Sequence, residues 1–223
     1  MDAVKAIKNR RTQKVLADNV WEVSTNQKEL KNTVDELLDL ASCAPYHYKS
    51  DLKHQSEEKE LNSCLPFRFY VLDTSHCREL INYAKEQGIE LKKLKNMLSA
   101  SDVLFIVTWL PKQENTSVDN KKEPFPFYGD VVHMEHIAAA SAAIQNVLIG
   151  ATAKEIPNYW SSGGPLREKE LREYLEIPLN EILLGAIFLF PKDINDKDVF
   201  IKTGGLRESG KEKKTWSKWI TKK

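Results

Sequence analysis

The stretch "AAASAAIQNVLIGATAKEIPNYWSSGG", residues Ala138 to Gly164, decides the fold. Its helical pattern begins upstream near Val131 and holds to Lys154. Ile137, Ser141, Ile144, Leu148 and Ala151 form one stripe at helical spacing, and Ala140, Ala143, Val147 and Gly150 form a second beside it. A helix that is apolar or small over most of its circumference has little surface left for water. It is expected to lie wedged between a sheet and another layer, or between a sheet and a second subunit.

Two nearly continuous apolar runs lie on either side of this helix, "DVLFIVTWL" at Asp102 to Leu110 and "ILLGAIFLF" at Ile182 to Phe190. Both read as central strands covered on both faces. "FRFYVL", Phe67 to Leu72, reads as a third strand. Helices alternate with them. Leu30, Val34, Leu37 and Ala41 mark one, with Ser24-x-x-Gln27 in the form of a capping box, and Pro45 disfavours its continuation. A second is expected from about Cys77 to Leu98, with Gly88 as a point of interruption.

Composition narrows the function. The 223 residues, 41% of them hydrophobic, suffice for one good-sized core and are expected to form a single domain. A net charge of +1 gives no reason to expect nucleic acid or an acidic membrane as partner. The three cysteines, Cys43, Cys64 and Cys77, contain no C-x-x-C pair, which fits a reducing compartment. The basic N-terminal stretch lacks the apolar core of a signal peptide, and no apolar run approaches the ~20 residues of a membrane span. A soluble, cytoplasmic protein is the expectation.

The polar stretches 49–64 and 112–124 read as loop insertions, and long loops in compact domains often act as lids. The basic tail over 202–223 keeps Trp216, Trp219 and Ile220, as a docking arm would.

Few residues carry obvious chemistry. "RRT" at Arg10 to Thr12, with Lys14 beyond it, is either a solvated basic face or an anion clamp, since paired guanidinium groups fork onto phosphate. His133 and His136 straddle Glu135, but the H-E-x-x-H spacing is absent and they read as ordinary helix histidines, with no metal expected. Cys43 precedes His47, but a buried, inert thiol is the preferred reading. There is no G-x-G-x-x-G, G-x-S-x-G or Walker-type loop. Ser161 to Gly164 permits close approach of a flat ligand, or is only a turn.

The order of these segments along the chain is more specific than any one of them. "RRT", the helix leading into "APYHYK", "PFRFYVL", the small-residue helix running into "NYWSSGG", "EIPLNEILLGAIFLFPKD" and a basic tail together resemble the FMN-dependent nitroreductase family over nearly the whole chain. The resemblance implies an α+β fold, an α-β-α sandwich whose mostly antiparallel central sheet is flanked by helices, built as an intertwined homodimer with FMN between the subunits and the tail docked on the partner. The implied activity is hydride transfer from NADPH or NADH through the flavin to a nitroaromatic, quinone or similar small-molecule acceptor. A specialised flavin oxidase or dehydrogenase, or a flavin-storing or sensing protein, is the alternative.

Residue by residue, the resemblance makes Arg10 and Arg11 the cations holding the flavin phosphate and pyrimidine edge. Thr12 becomes a hydroxyl donor and Lys14 the neighbour of N1 and the C2 carbonyl. Pro45, Tyr46, His47 and Tyr48 line the cofactor across the subunit boundary, Asn146 is the polar position of the central helix, and Ser161, Ser162 and Gly163 lie against the ring near N5. Lys211 and Lys213 reach the phosphate from the tail, with Arg207 as competitor, and Phe125, Phe127 and Tyr128 form either an aromatic wall for the acceptor or core. The flavin carries the chemistry, so no protein nucleophile or catalytic acid is implied.

Overall fold

The computed structural model describes residues 1–21, 25–112, 130–209 and 216–220. Two hydrophobic clusters sandwich one sheet, and its strand alternation explains both. On β3 (Val103–Trp109) every residue is buried: Leu104 and Ile106 face one cluster, Val103, Phe105 and Val107 the other. β3 pairs antiparallel with β2 (Phe67–Asp73) and β5 (Ile182–Leu189), and β4 (Asn158–Ser161) extends β5, giving the order β2-β3-β5-β4. The two apolar runs are thus the central pair of strands, covered on both faces as their composition implied.

One face carries α5 (Val131–Ala153), with α1 (Ala3–Asn9) and α2 (Gln27–Ser42) packed on it. Both small-residue stripes do the work expected of them. Ala140, Ala143, Val147 and Gly150 are buried together with Ile144, Leu148 and Ala151, while Ile137 and Ser141 are half-buried. At Gly150 a Cβ would lie 2.8 Å from Leu37 Cδ2 and closer still to Leu40 Cδ1, so glycine sets how near α2 approaches. With 23 residues, α5 is long and apolar enough to cross a membrane, contrary to the expectation that no run came near that length. Half of its most apolar window is nevertheless buried within the protein, as in the core helix of a sandwich.

The other face carries α3 (Thr74–Glu86), α4 (Lys93–Ala100) and α6 (Lys169–Tyr174). The helical stretch expected from about Cys77 to Leu98 is interrupted at Gly88, as its glycine suggests, and forms two helices, with Lys92 also at positive φ. The start of α2 also differs from expectation. Asn26 is its N-cap, accepting from the Lys28 and Glu29 amides, which places Gln27 at the first helical position rather than the third. A two-stranded antiparallel ribbon, β1 (Gln13–Leu16) with β6 (Phe200–Thr203), lies on this same side, with Val15 buried in its cluster.

The segment 49–64 is tied down rather than free. Arg68 on edge strand β2 is 5% exposed and donates to the carbonyls of His54, Ser63, Leu65 and Phe67 at 2.8–3.2 Å. The Ser50 amide closes the loop on the Cys64 carbonyl at 3.0 Å. His54 is buried beneath this clamp, and its Nε2 has no hydrogen-bond partner. Burial first, then the charges of Lys53, Lys59 and Arg68, push its pKa down to about 4.

The sign follows. The unfolded chain protonates near pH 6.5 while the folded one resists, so stability is full above pH 6.5 and falls as pH drops toward 4, by roughly 2–3 kcal/mol in all. The protection factors of residues 50–64, corrected for the intrinsic pH dependence of amide exchange, should be lower at pH 4.5 than at pH 7, and His54→Phe should flatten that difference. Equal protection of the segment at both pH values would contradict the assignment.

Candidate functional site

Strand alternation along the ribbon lines up the candidate residues. Lys14 pairs with Lys202 across β1 and β6, and Thr12 accepts the Gly204 amide at 3.0 Å through its carbonyl. Thr12, Lys14 and Leu16 on one strand, and Phe200, Lys202 and Gly204 on or just past the other, therefore line one face. That face forms a cavity of about 490 Å³ with Lys93 of α4 and Tyr159 of β4.

Lys14 Nζ stands 5.6 Å from the Tyr159 ring centroid, a cation–π geometry. Burial, followed by the charges of Lys93 and Lys202, holds the Lys14 pKa below its usual value. No acidic residue lines the cavity, and Lys14, Lys93 and Lys202 have no ion-pair partner among the described residues.

A second cationic centre sits at the start of the ribbon. Arg11 donates to the Lys8 carbonyl at 2.8 Å, and Arg207 donates to the carbonyls of Ile7, Lys8 and Arg10, so both close the C-terminal end of α1. The half-buried Arg10 side chain makes no hydrogen bond or ion pair among the described residues. Its pKa is lowered by burial, then by Arg207 and Arg11. Arg10, the C-cap of α1, and Lys14 on β1 are four residues apart, at most roughly 13 Å at the rise of a strand. The arrangement is a lysine-lined cavity with an arginine centre at the start of the same ribbon, suited to a ligand with a phosphate at one end and a polarisable acceptor edge at the other.

From Tyr159, β4 runs into a glycine-bearing turn. Tyr159 and Ser161 share a strand face, and the Gly163 amide donates to Ser161 Oγ at 3.2 Å. Arg167 fixes the turn by donating to the Ser162 carbonyl at 2.9 Å and the Leu183 carbonyl at 2.7 Å. Gly163 has φ +99°, and a Cβ there would lie 2.7 Å from Leu183 Cδ2, so two requirements select glycine.

Not every expected residue joins this cleft within one protomer. Pro45 to Tyr48 follow α2 on the opposite face of the sheet. There Tyr46 Oη lies 3.4 Å from Cys64 Sγ and His47 Nδ1 3.3 Å from Glu135 on α5. Asn146 donates to the Leu40 carbonyl at 3.0 Å, tying α5 to α2. Lys211, Lys213, Phe125, Phe127 and Tyr128 lie outside the described residues. Trp216, Trp219 and Ile220 are exposed.

Two further readings resolve. His133 and His136 are buried, their rings hydrogen-bonding the carbonyls of Lys112 and Leu110 at 3.2 and 2.7 Å, which is the ordinary helix role. Cys43, expected to be buried, is exposed because it sits at the C-cap of α2, while Cys77 is the buried thiol. Lys93, Lys202 and Tyr159 were not among the sequence candidates. Tertiary structure brings them to Lys14: Lys202 by the pairing of β6 with β1, Lys93 by the packing of α4 on β1, and Tyr159 from β4.

No family model and no curated protein matches this chain. Solved structures do. A nitroreductase-like family protein from Bacillus cereus aligns with TM-score 0.53 at 18% identity, over 85% of this chain and 85% of its own. A nitroreductase family protein from Clostridium novyi NT aligns with TM-score 0.53 at 20% identity, over 89% and 90%. Nitroreductase CinD from Lactococcus lactis, solved in complex with chloramphenicol, aligns with TM-score 0.53 at 16% identity, over 86% and 90%. The chain has the nitroreductase-like fold. Here the ribbon, α4 and Tyr159 of β4 line one cavity, and the helical face of α1, α2 and α5 lies on the other side of the sheet.

Proposed function

We propose that the protein is an FMN-dependent oxidoreductase that takes hydride from NADPH or NADH and passes electrons to a nitroaromatic, quinone or similar acceptor. The observation that carries this reading is the Lys14–Lys93–Lys202 group, without an ion-pair partner among the described residues, lining a cavity of a nitroreductase-like fold, with Arg10 at the start of the same ribbon. The residues fit FMN: a dianionic phosphate answers Arg10 with its neighbours Arg11 and Arg207, and the N1–C2=O edge answers Lys14. The small, glycine-bearing turn Ser161–Gly163 leaves room for a flat ring.

When bound, FMN supplies the chemistry, accepting hydride at N5 and yielding the electron pair to an acceptor that also takes up a proton. The chain's own residues bind and orient. Lys14 places fixed positive charge where reduction leaves negative charge, and the partly buried setting strengthens that interaction. Thr12 offers a hydroxyl beside the phosphate end.

The same reading makes the protein a cytoplasmic homodimer. Val4 and Ile7 on α1, Leu40 on α2, and Val131 and Met134 on α5 are exposed apolar side chains on three helices that pack together. On this reading the Pro45–Tyr48 segment, which one protomer does not bring to its own cleft, serves the cofactor across the subunit boundary. Light scattering should give a dimer mass for the native chain and a monomer mass for the double variant Ile7→Glu, Met134→Glu, with FMN lost in parallel. A dimer that survives both charges would place the interface elsewhere.

The deciding experiment is the visible spectrum of the purified protein, repeated anaerobically with NADPH and NADH, chloramphenicol being the first acceptor to try. A yellow protein that bleaches and recolours on addition of acceptor supports the proposal. One that stays oxidised favours flavin storage or sensing, and a colourless one that takes up no FMN refutes the flavin reading.

A further inference from the structure

We infer that a cavity of about 280 Å³ beside the start of β3 is a binding site for a small alkylammonium ion, with the Asp102 carboxylate as its anchor. This cavity shares no lining residue with the lysine-lined one, and the inference does not depend on the flavin reading. Asp102 stands just before β3, Thr25 just before α2 and Glu29 in its first turn, and Leu189 ends β5. The site is therefore built where the first turn of a helix meets the ends of the two central strands.

The anchor comes first. Asp102 is only 5% exposed, and its Oδ2 accepts from the Thr25 hydroxyl at 2.5 Å. Its Oδ1 has no hydrogen-bond partner, and no cation lies within ion-pair distance of it, among the described residues. Burial above all, with the charge of Asp193, pushes the Asp102 pKa above its usual value, against the Thr25 hydroxyl and the more distant charges of Lys197 and Arg78. The tie to Thr25 asks for one acceptor oxygen, which an asparagine would supply with no charge to desolvate. The charge serves a ligand that brings the opposite one.

The rest of the lining says what that ligand is. Buried Leu30, Leu189 and Phe190, with the half-buried Ile156, make apolar walls. Ligand cavities run from about 300 to 1,000 Å³, so this space suits a short carbon chain rather than a bare ion. Toward solvent the lining adds Glu29 and Asp193 against Lys192, all exposed, which leaves carboxylates in excess. Asp193 is shared with Lys197, at 3.1 Å. Among the described residues no group of three His, Cys, Asp or Glu side chains is placed to hold a metal ion. A cationic head on an apolar stem answers both the carboxylate and the walls.

The test uses the full chain and probes of equal chain length but different charge: butylammonium, butan-1-ol and butyrate. Methyl resonances of Leu30, Ile156 and Leu189 report on the walls, and their shifts on titration give the dissociation constants. Butylammonium should bind at least about tenfold more tightly than butan-1-ol, the ratio expected of a hydrogen bond to a charged group, and butyrate should leave these methyls unmoved. Asp102→Asn keeps an acceptor for Thr25 and should reduce butylammonium to the level of the alcohol. Lys192→Ala removes an exposed like charge and should tighten butylammonium by about two- to fivefold, a gain that misfolding cannot produce.

Unchanged circular dichroism separates the Asp102→Asn result from loss of fold. A wild-type protein that binds butylammonium no better than butan-1-ol or butyrate, or whose shifts fall away from these methyls, overturns the site. Full butylammonium affinity in a folded Asp102→Asn variant overturns the anchor. Should that variant not fold, the wild-type ratio and the Lys192→Ala gain decide.

Discussion

Arg68→Ala destabilises the protein by about 3 kcal/mol, the cost of leaving buried carbonyls without their charged donor. In the native protein one guanidinium, 5% exposed, serves the carbonyls of His54, Ser63, Leu65 and Phe67 and thereby fastens the 49–64 segment to edge strand β2. No water can replace it without opening the segment. For a chain of this length about 3 kcal/mol corresponds to a fall of roughly 6–12 °C in Tm. Arg68→Lys should recover little, because one ammonium cannot span acceptors arranged for a planar fork. Urea unfolding and calorimetry of both variants measure this directly. A loss below about 1 kcal/mol for Arg68→Ala would mean that the loop carbonyls are satisfied in some other way.

Arg10→Ala weakens FMN binding by about 30- to 100-fold and leaves riboflavin binding nearly unaffected. The magnitude is that of a hydrogen bond between charged groups, about 2–3 kcal/mol, at about 1.4 kcal/mol per factor of ten. Arg10 is the cation of its centre with no partner among the described residues, whereas Arg207 already holds carbonyls at the end of α1. Removing Arg10 should thus subtract a ligand contact rather than a structural one. Riboflavin, lacking the phosphate, is the internal control. Equal losses for both ligands would show that Arg10 acts through the fold or the ring and not through the phosphate.

The parts of the fold legible in the sequence were those governed by local periodicity. The α5 stripes and the runs that became β3 and β5 each bury their apolar positions as their spacing required. Boundaries set by backbone dihedrals were less legible. The break at Gly88 is visible in the sequence as a glycine, but the positive φ at Lys92, which sets where α4 begins, is not. Likewise Asn26 outcompetes Ser24-x-x-Gln27 as the start of α2, a choice between neighbouring capping residues.

The site divides in the same way. Arg10, Thr12 and Lys14 stand out in the sequence as a basic cluster at the end of the first helix and through the resemblance of the segment order to the nitroreductase family. Lys202 and Lys93 do not, since "FIKT" and "ELKKLKNML" read alone as an exposed strand and the polar side of a helix. Their meaning comes from tertiary pairing: Lys202 stands opposite Lys14, and α4 packs on β1. Arg68 shows the reverse case, an arginine in a β-rich run whose burial is explained only by the loop it clamps.

The β1–β6 ribbon has a consequence for synthesis of the protein. Its pairs, Gln13 with Thr203 through Leu16 with Phe200, join stretches separated by most of the sequence. A ribosome has released the first strand of the cleft long before it makes the second, while the sheet of β2, β3, β5 and β4 lies wholly between them. The entropy of closing so long a loop grows only slowly with its length, but the closure cannot begin until β6 emerges. The cationic cleft is therefore among the last features a growing chain can complete, and a nascent protein that has already built its core still has no place to hold an anion.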